Sequence, residues 1–168
     1  KSQLIERLPH YGNDALFLQN DEITTGLLNN KTEIKIHLLT GELLYFDSEN
    51  GHIVDLTHDK FDKRLESIVT KCGLDMPKMS SFTFRHKYLS EYIPFAKKVN
   101  KSLELFRMKL RDHFTQVHLW PDGFDFSVES FMMKNNEQIG VGVSPGDDNY
   151  ESPYLYVNPY PFNENIVD

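Results

Sequence analysis

The chain has 168 residues, 39% of them hydrophobic and including 12 Phe and 8 Tyr, a composition that supports one domain (residues 1–168) with a real core and argues against disorder. A formal charge of −7, from 25 acidic against 18 basic residues, with no Lys/Arg run beside interleaved aromatics, argues against a nucleic-acid partner. The single cysteine, Cys72, excludes an intrachain disulfide and a multi-thiolate metal site and suits a reducing, cytoplasmic compartment; no apolar run approaches the roughly 18–20 residues of a membrane span, so no membrane partner is expected.

In chain order, apolar alternation over residues 15–18 and at Ile34, Ile36 and Leu38 predicts strands. Thr40-Gly41-Glu42 supplies a turn, residues 43–46 the return strand, residues 47–51 a second polar turn, and residues 52–56 a further short strand, which together make an antiparallel meander. After Thr57 the period becomes helical. Phe61, Leu65, Ile68, Val69 and Cys72 share one face, and Gly73 is placed to end the helix. Residues 75–88 read as irregular, with a strand as the alternative at 81–85.

A longer helix is predicted from about Ser90 to His113, its start set by Pro94, which is tolerated only near a first turn. Its stripe is Tyr92, Phe95, Ala96, Val99, Leu103, Phe106 and Leu110, and Phe106 and Leu110 are expected in the core. Four strands follow, at residues 116–120, 124–129, 139–144 and 154–158, separated by segments rich in turn formers such as Pro121-Asp122-Gly123. Strands, helix, helix, strands is the order of an α+β fold, mostly antiparallel β-sheet packed against two principal α-helices, rather than of a parallel βαβ array.

The segment Gln116-Val117-His118-Leu119-Trp120, then Gly123-Phe124-Asp125, resembles a bacterial family known as domain of unknown function 5996. Further points of likeness are Ile23-Thr24-Thr25-Gly26, Gly142-Val143-Ser144-Pro145-Gly146, and the Tyr-rich run from Tyr154 to Pro161. Members of that family are often longer at the N-terminus than this chain. The resemblance implies a shared fold and brings no assigned activity, cofactor or substrate.

Gly142-Val143-Ser144-Pro145-Gly146 also satisfies the Gly-x-Ser-x-Gly pattern of the esterase nucleophile elbow. That elbow needs the backbone N–H after the serine in its oxyanion hole; Pro145 has none, and no histidine follows Ser144. The pattern reads instead as a turn centred on Pro145 and Gly146. Gly140-Val141-Gly142 lacks the third glycine and the helix of a dinucleotide fingerprint. The acidic run Asp147, Asp148, Asn149, Glu151 lacks the glycine and the glutamate of a calcium loop, since Ser152 and Asn158 stand at those positions. Among the seven histidines no pair has a helical zinc spacing, and His113 and His118 straddle a helix end and a strand, so no metal site is expected.

What the sequence does offer is a face. Alternation puts Val117, Leu119, Val141, Val143, Leu155 and Val157 on one side of the last strands, expected to pack on the helices. His118, Trp120, Ser144, Tyr154 and Tyr156 occupy the other, with Gly140 and Gly142, and with Asp125 and Ser127 if Phe124, Phe126 and Val128 point inward. Two functional readings follow. In the first, this face binds a small molecule at His118, Trp120, Asp125, Ser144, Tyr154 and Tyr156, with His118 or Asp125 available for orientation or proton transfer, as in an enzyme. In the second, the same aromatic face is a non-catalytic interaction or assembly surface. Trp120 laid across the two glycines would fill the space above them, which would leave a ligand near Asp125 and Tyr154.

Overall fold

The computed structural model describes residues 15–27, 32–46, 51–56, 61–71, 86–110, 114–131 and 137–161. The fold is α+β. Strands β1 (Phe17–Gln19), β2 (Glu22–Thr24), β3 (Glu33–His37), β4 (Glu42–Phe46) and β5 (Gly51–Asp55) form one antiparallel sheet in sequence order. Helices α1 (Phe61–Lys71) and α2 (His86–Lys109) follow, and β6 (His118–Trp120), β7 (Asp125–Phe131), β8 (Gln138–Ser144) and β9 (Tyr154–Tyr160) form a second meander. Among the described residues no helix is long and apolar enough to cross a membrane. The chain divides into two compact units, Gln19–Pro94 and Lys1–Leu18 with Phe95–Asp168.

In the Gln19–Pro94 unit, the alternation that marks β3 and β4 is converted into a buried layer by register. Ile36 faces Leu43, Leu43 faces Val54, and Ile34 faces Tyr45. Leu43, Tyr45, Val54, Leu56 and Ile68 of α1 form the core, with Ile34, Ile36 and Leu65 packed against it. The predicted turn at Gly41 takes φ 72°, a left-handed position that favours glycine, and its N–H bonds the His37 carbonyl at 2.8 Å. β2 has no counterpart in the sequence reading, because Ile23 stands alone between polar residues and one apolar position defines no period. The polar turn at 47–50, Cys72, Gly73 and the alternative strand at 81–85 lie outside the described residues.

Helix α2 begins at His86 rather than near Ser90, so Pro94 sits inside it and not in its first turn. Proline lacks the N–H that would bond the carbonyl four residues back, and the boundary between the two units falls at this point. Of the predicted stripe, Ala96, Val99 and Leu103 are buried and Tyr92 and Phe95 partly so, while the buried Ile93 is not part of it. Phe106 and Leu110 are not core residues. They are 38% and 39% exposed, and Leu105 and Met108 in the same turns are more exposed still, at 52% and 72%.

In the second sheet, register aligns residues in rows that share a face. One row is His118, Ser127, Gly142 and Tyr156; the next is Glu129, Gly140 and Asn158; on the other face Leu119, Phe126, Val143 and Leu155 align. The aliphatic side is buried only along β6 and β7, where Leu119, Phe126 and Val128 are fully enclosed. At the β9 edge Leu155 and Val157 are 66% and 54% exposed, so the expectation of a uniformly covered face fails there. The β6 end is fixed by Leu16, which exchanges two backbone hydrogen bonds with Leu119, and β7 by Thr115, which bonds both the Glu129 carbonyl and, through its hydroxyl, the Glu129 N–H. Phe124 does not point inward with Phe126 and Val128. It belongs to the turn before β7, at φ 53° and half-exposed, since the chain must reverse there through a left-handed residue.

Candidate functional site

On the polar face of β6–β9 lies a cavity of about 360 Å³ lined by Trp120, Asp122, Asp125, Ser127, Glu129, Gln138, Gly140, Tyr156 and Asn158. Alternation along β7 supplies Asp125, Ser127 and Glu129, and the turn after β6 brings Asp122 beside them. β8 and β9 complete the wall, with Gln138 and Gly140 from one and Tyr156 and Asn158 from the other.

The two glycines have different neighbours. A Cβ on Gly142 would collide with the Tyr156 ring and would stand 2.8 Å from the Phe126 carbonyl oxygen. It is therefore Tyr156, not Trp120, that lies across Gly142. Around a Cβ on Gly140, a buried residue, the nearest atoms would be those of Asn158 and Glu129 at 3.8–3.9 Å, an ordinary contact distance, so a methyl group has room there without a clash. Tyr156 donates its hydroxyl proton across one row to Asp125 Oδ2, and the Trp120 indole N–H donates to Ser127 Oγ at 2.7 Å. These two bonds fix both aromatic rings and leave the Glu129 end open.

Of the residues expected from sequence, the structure brings Trp120, Asp125 and Tyr156 to the cavity. His118 shares their face but is only 2% exposed, held edge-on between Phe17 and Trp120 with ring centroids 5.6 Å from each. Its Nδ1 is buried without a hydrogen-bond partner among the described residues, and burial pushes its pKa down. Ser144 is buried outside the lining, where its Oγ accepts the Gly146 N–H at 3.1 Å, with Gly146 at φ 116°, in keeping with a turn. Tyr154 donates to Asp147 Oδ2 at 2.6 Å, and Asp147 Oδ1 accepts the N–H groups of Asn149 and Tyr150. Within that acidic loop the Asp147 carboxylate is thus satisfied locally. No group of side chains that could hold a metal ion occurs among the described residues.

Sequence reasoning missed Asp122, Glu129 and Gln138. Glu129 was legible in principle, because carrying the alternation Asp125, Ser127 one step further reaches it. It is 8% exposed, lies over Gly140, and no hydrogen bond or ion pair to its carboxylate occurs among the described residues. Desolvation by burial raises its pKa. Burial also raises the pKa of Asp125, against the lowering effect of the Tyr156 hydrogen bond, and Tyr156 is held far above the ordinary phenol range by burial and by the Asp125 carboxylate. The lining contains three carboxylates and no Lys, Arg or His. The chain matches no family model, no curated protein and no solved structure.

Proposed function

We propose that the protein binds a small molecule in the cavity over Gly140, between the Trp120–Tyr156 side and Glu129. The observation that carries this reading is the cavity itself, lined by the polar groups Glu129, Gln138, Asn158 and Ser127, with room for added volume at Gly140. A volume of about 360 Å³ lies within the roughly 300–1,000 Å³ typical of ligand sites, and fixed aromatic walls with a few polar groups are their usual lining. The acidic lining disfavours phosphate-bearing ligands, nucleic acid among them. Should the bound molecule be a substrate, Glu129 is the group placed to exchange a proton with it, because burial brings its pKa upward from the carboxylate range. His118 is too enclosed to touch a ligand there and serves to support Trp120.

Trp120 is the sole tryptophan, so intrinsic fluorescence reports directly on the cavity. Titration of a set of small polar compounds should change that emission saturably in the wild type. The change should vanish in Gly140→Val, whose side chain would take up cavity volume beside Glu129 and Asn158. Compounds that bind both proteins equally would place any binding elsewhere and remove the proposal.

A further inference from the structure

Three features of the cavity bear on the chemistry of what enters it. The first is Glu129, more than nine-tenths buried, directed into the cavity and without a hydrogen bond or ion pair among the described residues. A carboxylate whose surroundings are partly desolvated and that has no protein donor among the described residues gains from a positive charge in the cavity, and Asp125 shows the contrast, since its charge is met by the Tyr156 hydroxyl. The second is the sign of the lining. Asp122 and Asp125 add to Glu129, and no cationic side chain balances them. The third is the wall. Trp120 and Tyr156 both line the site, and aromatic rings attract organic cations.

Resting on the reading that the cavity is a ligand site, we infer that its ligand is a small organic ammonium ion, the charged nitrogen held by the Glu129 carboxylate near Gly140 and the hydrocarbon lying toward Trp120 and Tyr156. The side-chain carbonyls of Gln138 and Asn158 and the Ser127 hydroxyl are further acceptors for the ammonium N–H groups. A neutral polyol would leave the Glu129 charge uncompensated, and a carboxylate or phosphate would be repelled by all three acids. A bare metal ion fits poorly, because among the described residues no three ligating groups converge.

The test uses probes of matched length and different charge: butylammonium and putrescine, the neutral 1-butanol and 1,4-butanediol, and the anion succinate. Each is titrated into wild type, Glu129→Gln and Gly140→Val, followed by Trp120 emission and by calorimetry, with circular dichroism to check that the variants fold. The ammonium probes should bind wild type saturably and the neutral and anionic ones should not. Affinity should fall on the order of tenfold or more in Glu129→Gln and be lost in Gly140→Val, since removing one partner of a desolvated charge pair is costly. Ammonium binding should also strengthen as pH rises and Glu129 ionises. Ammonium binding that is unchanged in Glu129→Gln would overturn the inference. Saturable binding of a diol or of succinate, lost in Gly140→Val, without ammonium binding, would overturn the inference and leave the site standing. No saturable binding by any probe at millimolar concentration would overturn both.

Discussion

Glu129→Gln should make the protein more stable at neutral pH. In the folded chain Glu129 is 8% exposed and its carboxylate unpaired among the described residues, whereas in the unfolded chain it is fully hydrated. The amide keeps the shape and removes the charge. Leaving a buried polar group unsatisfied costs about 1–3 kcal/mol and more for a charged one, so exchanging the charged group for a neutral one should gain about 1 kcal/mol, or about 2–4 °C in Tm for a chain of this size. The pH dependence carries the sign. Burial raises the folded-state pKa above the ordinary value of 4.5, so between the two values the folded state binds more protons and stability falls as pH rises. Below pH 4.5 both forms of Glu129 are neutral and the variant should have no advantage; the advantage should open as pH rises through the folded pKa and then stay constant. Urea unfolding of both proteins across this range, followed by Trp120 emission and circular dichroism, measures the difference. A variant less stable than wild type at pH 7, or a difference that does not change with pH, would show that Glu129 is ionised and paired, and the account of the site would fall.

Gly142→Ala should cost about 1–3 kcal/mol by overpacking against Tyr156 and the Phe126 carbonyl, while Gly140→Ala should cost less than about 0.5 kcal/mol; chemical denaturation separates them, and equal losses would refute the difference in cover. In double-mutant cycles Gly142→Ala should couple to Tyr156→Ala and not to Trp120→Ala, the reverse pattern meaning that the rings are misplaced. Phe126→Ala, at a fully enclosed position, should cost about 3–5 kcal/mol, whereas Phe106→Ala, 38% exposed, should cost about 1 kcal/mol; similar losses would put Phe106 in the core after all. Burial lowers the His118 pKa, so below its ordinary value of 6.5 the unfolded chain takes up the proton first and stability should fall with pH, an acid-side loss that His118→Phe should reduce; an unaltered profile in that variant would refute the assignment.

Much of the second sheet was legible because strand alternation is a local property. Reading residues in steps of two along β6, β8 and β9 placed His118 with Trp120, Gly140 with Gly142, and Tyr154 with Tyr156, and the sheet register keeps each of these pairs on one face. Turn chemistry likewise located the reversal at Gly41 and at Pro121-Asp122-Gly123, although the second turn runs on through Phe124, which the sequence pattern assigns to the strand and which takes the left-handed conformation that turn chemistry would assign to glycine. The helix α2 shows the limit of a one-dimensional pattern. Its apolar residues continue past Leu103, but whether such a residue is covered depends on what lies opposite, and nothing in the spacing of Phe106 or Leu110 records that.

The sequence by itself determined which side chains share a face, because the two-residue repeat of a strand is set by backbone geometry within the strand. Only the tertiary structure decided which of them are neighbours across strands. Pairing register sets Tyr156 opposite Gly142 and Glu129 opposite Gly140, so one glycine is closed off by a ring while the other has room for a methyl group beside an acid. A shift of two residues would keep every face intact and rearrange every row, and the free-energy difference between such registers comes from contacts between strands far apart in the chain, where no local pattern can express it.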